Sequence, residues 1–191
     1  MPDPLHLLDR WFAQACETEE SDPNAMALAT ADAEGRPSCR IVLLKDHGPD
    51  GFVFYTNKES RKGEDLAANP RAAATFHWKS SYRQVRIEGG VDHVDTDVAT
   101  AYFQSRDRDK QLAASASDQS RPLPDRATFE KRVAALEERY PEGDLPKPDY
   151  WGGYRLTPDR IEFWEGTQSR MHHRRLFLRT NEGWDEGLLY P

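Results

Sequence analysis

Apolar and polar positions change period several times along the chain, and each change marks an element. Leu5, Leu8, Phe12 and Ala15, with Trp11 beside them, fall at helical spacing, which predicts an amphipathic helix from Pro4 to about Glu19. Asp22-Pro23 ends that pattern. "AMALATA" is short and apolar, and "AEGRP" reads as a turn. "SCRIVLLK", rich in β-branched and apolar residues, predicts a buried strand. "HGPDG" is a strong turn signal and "FVFYTN" the next strand, so these segments read as consecutive hairpins. Ser60 is placed to cap a short helix, "RKGEDLAAN", closed by Asn69-Pro70. "RAAATFHW" and "RQVRIEGGVDHV" are two further strands joined at Ser80-Ser81. Thr96 is placed to cap a helix running through Tyr102 and Phe103. "DRATFEKRVAALEERY" is a helix with Phe129, Val133 and Leu136 on one side. A Pro/Gly loop, "PEGDLPKPDYWGG", leads into two or three terminal strands with a turn at Asn181-Glu182-Gly183.

Short strands joined by tight turns dominate, and helices interrupt them. This predicts a mainly β fold, an antiparallel barrel with peripheral helices, in a single domain over residues 1–191. A doubly wound parallel sheet does not fit, because strand-helix alternation is absent and no G-x-G-x-x-G follows a strand.

Charge changes the picture more than length does. The net charge is −7, which argues against a general nucleic-acid binder. A local basic cluster on such a chain suits a small anionic ligand better than a polyanion. No run is long enough to span a membrane, and the start lacks the segments of a signal peptide, so a cytoplasmic protein without membrane partners is expected. Cys16 and Cys39 make neither a disulfide framework nor a zinc set. Arg40 beside Cys39 could lower its pKa, but the apolar strand around it predicts a buried, inert thiol.

Three constellations carry candidate chemistry. In "TNKESRKGE", Arg61 and Lys62 fall in the opening turn of the Ser60-capped helix, where free N–H groups and the positive dipole end also lie. They form a phosphate cradle or, as the competing and slightly preferred reading, an ordinary solvated pair. In "TAYFQSRDRDKQ", a continuous helix places Tyr102, Arg106 and Lys110 on one face, able to grip a second anion; the competing reading pairs the cations with Asp107 and Asp109. In "IEFWEGTQSRMHHRR", strand alternation puts Arg170, His172 and Arg174 on one face, and Met171, His173 and Arg175 on the other. Adjacent histidines in a strand chelate poorly, and no metal site is expected. No G-x-S-x-G elbow marks a serine hydrolase.

Together "DPNAMALATAD", "RIVLLK", "FVFYTN", "SRKGEDLAANPRAA", "RQVRIEG", "YFQSR", "DQS", "WGGYRL" and "IEFWEG....RMHHR", in that order and spacing, resemble the pyridoxine/pyridoxamine 5'-phosphate oxidase family. The resemblance runs from about Asp3 to Pro191. It implies an FMN-binding split β-barrel that forms a homodimer with FMN at the subunit interface. By resemblance, Arg40, Ile41, Val42, Leu43, Leu44 and Lys45 match the strand lining the flavin. Tyr55, Thr56, Arg61, Lys62, Gln84, Gln119, Ser120, Trp164 and Arg174 match further flavin contacts. Lys45, Tyr102 and Arg106 match residues holding the substrate phosphate, as does the position of Lys110, and Arg170 and His172 match residues beside the substrate ring. The implied reaction oxidises pyridoxamine or pyridoxine 5'-phosphate to pyridoxal 5'-phosphate, with O2 as acceptor and H2O2 as by-product.

The chain departs from the family pattern at several places. Lys110 stands where the family usually has Ser, His173 where it has an acid, and Glu165 where it has Gln, His or Gly. The usual C-terminal Arg-Leu pair reads Leu188-Leu189, and the usual basic N-terminal arm has no counterpart ahead of the first helix. Flavin positions match better than substrate positions. That keeps a phenazine-biosynthesis type of flavin oxidoreductase, or a non-catalytic flavin or pyridoxal-phosphate binding protein, as alternatives. Arg40 and Lys45 have opposite parity, so both serve one site only if a bulge intervenes or the strand ends near Lys45.

Overall fold

The computed structural model describes residues 3–191. Helix α1 (Pro4–Thr18) opens with Pro4 at its first turn, and Asp3 accepts a hydrogen bond from Leu5 N at 2.9 Å. Its buried stripe is Pro4, Leu7, Leu8, Trp11 and Ala15, while Leu5 and Phe12 lie at the half-buried margin. The predicted stripe is therefore rotated slightly, because Leu7 takes the place assigned to Leu5.

The strands are β1 (Ala25–Ala31), β2 (Pro37–Leu43), β3 (Asp46–Gly48), β4 (Gly51–Asn57), β5 (Arg71–Trp78), β6 (Arg83–His93), β7 (Trp151–Glu165), β8 (His173–Thr180) and β9 (Gly183–Leu188). Helices α2 (Arg61–Ala68), α3 (Thr96–Gln104), α4 (Arg108–Ala116) and α5 (Arg126–Arg139) interrupt them. All pairings are antiparallel, in the order β2-β1-β5-β6-β7-β4-β3, with β8 on β7 and β9 on β8. The expected antiparallel sheet with peripheral helices is what forms.

Strand β7 organises the sheet. Its first half pairs with β4 and its second half with β8, while β6 runs along the other side. The β6 register shifts between Glu88 and Gly89, where the sheet coils. A Cβ on Gly89 would sit 2.0 Å from the Thr157 carbonyl oxygen, so only glycine fits the bulge. Lys45 N donates to Val53 O at 2.8 Å, joining the exit of β2 to β4 and curling the sheet toward closure. Inside lie Phe52, Phe54, Phe76, Val85, Ile87, Ile161 and Phe163, covered by Leu8 and Trp11 of α1. Burying each such side chain contributes about 1.5–3 kcal/mol. A second cluster, Phe103, Leu112, Leu145 and Trp151, with Val133 and Leu136 against it, holds α3, α4 and α5 to the start of β7. No described helix is long and apolar enough to cross a membrane.

Several local expectations give way. Strand β2 is not buried: it sits at the end of the sheet order, alternate residues face out, and Ile41 is 65% exposed. Cys39 is exposed with them, so it is not the buried thiol expected. "HGPDG" carries the end of the short β3 as well as the turn into β4. Ser60 occupies the N-cap of α2, but its hydroxyl donates to Asn57 O at 2.6 Å and makes no cap bond. The cap of α3 is Asp95, not Thr96. The helix does not continue past Gln104: Ser105 Oγ donates back to Tyr102 O, and Asp107 takes an extended conformation that starts α4. Arg170, Met171 and His172 lie outside β8, so strand alternation does not govern them.

Candidate active site

A cleft of about 830 Å³ opens between β2, β4, the start of α2 and the α3–α4 corner. It gathers twelve of the residues singled out from the sequence. From β2 and its exit come Arg40, Ile41, Val42, Leu43 and Lys45; from β4 Tyr55 and Thr56; from α2 Lys62; and from the helical side Tyr102, Arg106, Lys110 and Gln119. The parity conflict between Arg40 and Lys45 disappears because β2 ends at Leu43, ahead of Lys45. Leu44 turns into the core instead, 5% exposed, and does not line the cleft. Arg61 and Ser120 are exposed and also lie outside it.

Buried positive charge is the main feature of one end. Lys62 is only 8% exposed, and its Nζ donates to Gln119 Oε1 at 2.8 Å, Thr56 Oγ1 at 3.1 Å and Ser60 Oγ at 3.2 Å. All three are neutral oxygens. Burial, reinforced by the nearby Arg40 charge, lowers the Lys62 pKa to about 8. Arg40 donates to Leu28 O, Thr30 Oγ1 and Ser38 Oγ, with Asp65 at 3.7 Å. Burial also lowers the Arg40 pKa, against the opposing pull of Asp65. Gly63 lets α2 start this close: a Cβ there would sit 2.0 Å from Lys58 O. The opening N–H groups of α2 add to the positive potential. An anion at this end would find a buried ammonium, a guanidinium and a helix N-terminus together.

The helical side carries the second cation pair. Tyr55 stacks on Tyr102 at 4.1 Å and on Trp151 at 5.4 Å, forming a flat aromatic layer. Arg106 lies over Trp151 at 5.2 Å. Its Nη1 is inaccessible to water and has no hydrogen-bond partner, and burial lowers its pKa. Lys110, by contrast, donates to Asp107 Oδ2 at 2.6 Å. For Lys110 the competing sequence reading, a paired cation, describes the geometry. For Arg106 it does not.

The remaining candidates form a separate patch. Gln84, Trp164 and Arg174 are register partners across β6, β7 and β8, making one row over three strands. Arg174 Nε donates to Glu162 Oε1 at 2.7 Å, which raises the Arg174 pKa. Glu162 is 2% exposed and also accepts from Arg86 Nη1 at 3.3 Å. Arg170 and His172 lie in the β7–β8 loop. Arg170 is exposed with φ 61°, a backbone conformation uncommon outside glycine. Thr167 N donates to His172 Nδ1 at 3.2 Å, so neutral His172 carries its proton on Nε2. Its ring leans on Trp164 at 4.7 Å. None of these five lines the cleft.

Sequence reasoning missed Asn57, Asp107, Phe129 and Trp151 at the cleft and Glu162 beneath the row. Asp107 carries a signal in the sequence, as an acid within reach of the cations of its own segment. Glu162 had none in its own segment, because its burial depends on arginines from two neighbouring strands.

Sequence comparison gives the arrangement relatives. The family described as Pyridoxamine 5'-phosphate oxidase matches residues 12–140, and the Pyridoxine 5'-phosphate oxidase C-terminal dimerisation region matches residues 151–191. A pyridoxine/pyridoxamine 5'-phosphate oxidase of Sphingopyxis alaskensis is 60% identical over 99% of this chain and 88% of its own length. The Novosphingobium aromaticivorans protein of the same name is 58% identical over 99% and 94%. Among solved structures, PhzG from Burkholderia lata, in complex with tetrahydrophenazine-1-carboxylic acid, superposes with a TM-score of 0.92 at 31% identity, covering 99% of this chain and 93% of that one. A pyridoxamine 5'-phosphate oxidase-related, FMN binding protein from Nostoc punctiforme shares the fold at a TM-score of 0.79 and 16% identity, over the full length of both chains.

Proposed function

The chain belongs to the pyridoxamine 5'-phosphate oxidase family, and from that premise we propose that it oxidises pyridoxamine and pyridoxine 5'-phosphates to pyridoxal 5'-phosphate, using FMN. For the amine the balance is substrate, O2 and water giving aldehyde, ammonia and H2O2. The observation that carries the reading is the cleft's charge. Lys62 is buried and hydrogen-bonded only to neutral oxygens, and the half-buried Arg106 has a bare Nη1. A ligand pair with two phosphates matches such a cleft.

The residues present fit the cofactor. Lys62 and Arg40, with the opening of α2, hold the FMN phosphate, each charge-assisted bond contributing roughly 1.5–3 kcal/mol net. Arg61 and Ser120, exposed outside the cleft in the single chain, are carried over as further flavin contacts by resemblance, and Ile41 to Leu43 supply an apolar wall for a flat ring. Bound FMN supplies a two-electron acceptor. Arg106, Tyr102, Lys45 and Lys110 hold the substrate phosphate at the other side. Arg170 and His172 orient the substrate ring, with the Nε2–H of His172 free to donate because Nδ1 is already engaged. Holding the ring in one pose supplies proximity, a large entropic share of such barriers.

A homodimer with FMN at its interface completes the site. Most candidates lie either in the cleft or in the patch of the Gln84-Trp164-Arg174 row and the β7–β8 loop, and the dimerisation region matched at 151–191 contains Trp164, Arg170, His172 and Arg174. Two copies related by symmetry would present the row of one to the cleft of the other. The two matched regions also share one sheet, since β7 pairs with β4 and β6, which supports a single split-barrel domain.

The likeness to PhzG keeps a phenazine-type substrate as the second reading. Aerobic turnover of the FMN-loaded protein separates the two. Aldehyde and peroxide formed one to one from pyridoxamine 5'-phosphate support the first, and a flavin-loaded protein inert to both vitamers supports the second.

A further inference from the structure

The corner between α3 and α4 places two cations on one wall of the cleft in different states. Arg106 has a guanidinium nitrogen without a partner. Lys110 is already matched by Asp107 at 2.6 Å, and both of these side chains are exposed. Asp107 also occupies the N-cap of α4, with the extended backbone of a cap residue. Its carbonyl accepts from Lys110 N at 3.0 Å and Gln111 N at 3.1 Å, yet its carboxylate makes no cap bond. Cap carboxylates ordinarily accept from the second or third N–H of the helix; the third, Lys110 N, is already bonded to the Asp107 carbonyl, which leaves the second, Asp109 N, for the carboxylate. Here that capacity is spent on Lys110.

We infer that Asp107 is a positioning residue with two partners: it holds Lys110 while the cleft is empty, and caps α4 when Lys110 turns to a bound phosphate. This rests on the reading of the cleft as a phosphate-ester site. Exposed pairs of this kind hold weakly, so an incoming dianion can draw the ammonium away. The free N–H groups of α4 then receive the released carboxylate, which offsets the lost pair. Asp107 nevertheless opposes binding, because the pair must first break and the carboxylate repels the dianion. The grip on product is weakened in the same proportion as the grip on substrate, which favours release.

The test measures dissociation constants of pyridoxal 5'-phosphate for the FMN-loaded protein and for Asp107→Asn, Lys110→Ala and the double variant, with KM for pyridoxamine 5'-phosphate beside them. Asn still caps a helix but cannot hold an ammonium by charge. Asp107→Asn is expected to tighten product binding about fivefold and to lower KM by a similar factor. Lys110→Ala is expected to weaken binding about tenfold. In the Lys110→Ala background, Asp107→Asn is expected to change binding by less than about twofold, since its effect passes through Lys110. A tightening is a result that a merely damaged cleft does not give. Unchanged or weaker binding in Asp107→Asn overturns the inference, as does an equal effect with and without Lys110. Wild-type protein that binds pyridoxal 5'-phosphate no better than unphosphorylated pyridoxal overturns the phosphate-ester reading itself, whatever the variants do.

Discussion

Glu162 and Arg174 are joined across the β7–β8 pair, Arg174 Nε donating to the buried Glu162 carboxylate at 2.7 Å. The bond fixes the guanidinium beside Trp164 at the end of the Gln84-Trp164-Arg174 row. Arg86 supports the same carboxylate from β6. A buried acid between two arginines orients Arg174, the one proposed as a flavin contact.

Glu162→Gln keeps the shape and removes the charge. Breaking a buried pair costs about 3–5 kcal/mol when the surviving charge stays buried. Arg86 and Arg174 both reach water, so a loss of about 1–3 kcal/mol is expected in denaturant unfolding. FMN affinity should fall about tenfold through the loosened Arg174, read by quenching of flavin fluorescence on binding. Lost stability with unchanged FMN affinity would confine Glu162 to a structural role.

Flavin binding is expected to depend on pH through Lys62. Its pKa of about 8 lies below the ordinary 10.5, so the unfolded chain holds more protons between those values. Its contribution to stability is therefore fully present above about 10.5 and is lost as pH falls through about 8. Phosphate binding reverses the sign, because the anion needs the charged ammonium. The FMN dissociation constant should rise above pH 8 by up to about tenfold per unit, while the phosphate itself stays dianionic. Lys62→Met should bind weakly with a flat profile, and a flat profile in the wild type would contradict the assignment.

Arg106→Ala removes the cation with the unpartnered nitrogen. One lost charge-assisted contact predicts a fall in kcat/KM for pyridoxamine 5'-phosphate of about ten- to a hundredfold. FMN affinity, measured on the same preparation, should stay within about twofold if the two phosphates occupy different ends of the cleft. Parallel loss of flavin would merge the two anion sites into one.

Arg170→Ala tests the loop between β7 and β8. Its backbone is held at φ 61°, a conformation that costs energy in a non-glycine residue. Turnover should fall by about a hundredfold with FMN retained, in line with loss of a group acting at the substrate ring. Normal turnover would remove Arg170 from the site.

The sequence carried much of this arrangement where the signal was local. Strands β5 and β6 form where the sequence shows two strand segments joined at Ser80-Ser81. The pair Arg61-Lys62 at a helix start was legible, but its two members part company: Lys62 is buried at the cleft and Arg61 is exposed, and Ser60 gives its hydroxyl to Asn57 O rather than to the helix. The exposure of β2 was not legible, because an apolar edge strand and an apolar core strand have the same composition. The break after Gln104 was hidden for a related reason: Ser105 and Asp107 are compatible with helix and with cap, and packing of Phe103 and Leu112 decides between them. Alternation failed at Arg170 and His172 because the chain there is loop. Glu162 reads as a solvent-facing acid until its neighbours on β6 and β8 are known.

The most direct test of the account mixes FMN-loaded protein with pyridoxamine 5'-phosphate without oxygen and follows the flavin absorbance. Bleaching with one equivalent of pyridoxal 5'-phosphate formed is expected, with far slower bleaching by unphosphorylated pyridoxamine. A flavin that stays oxidised in the presence of saturating pyridoxamine 5'-phosphate would contradict it.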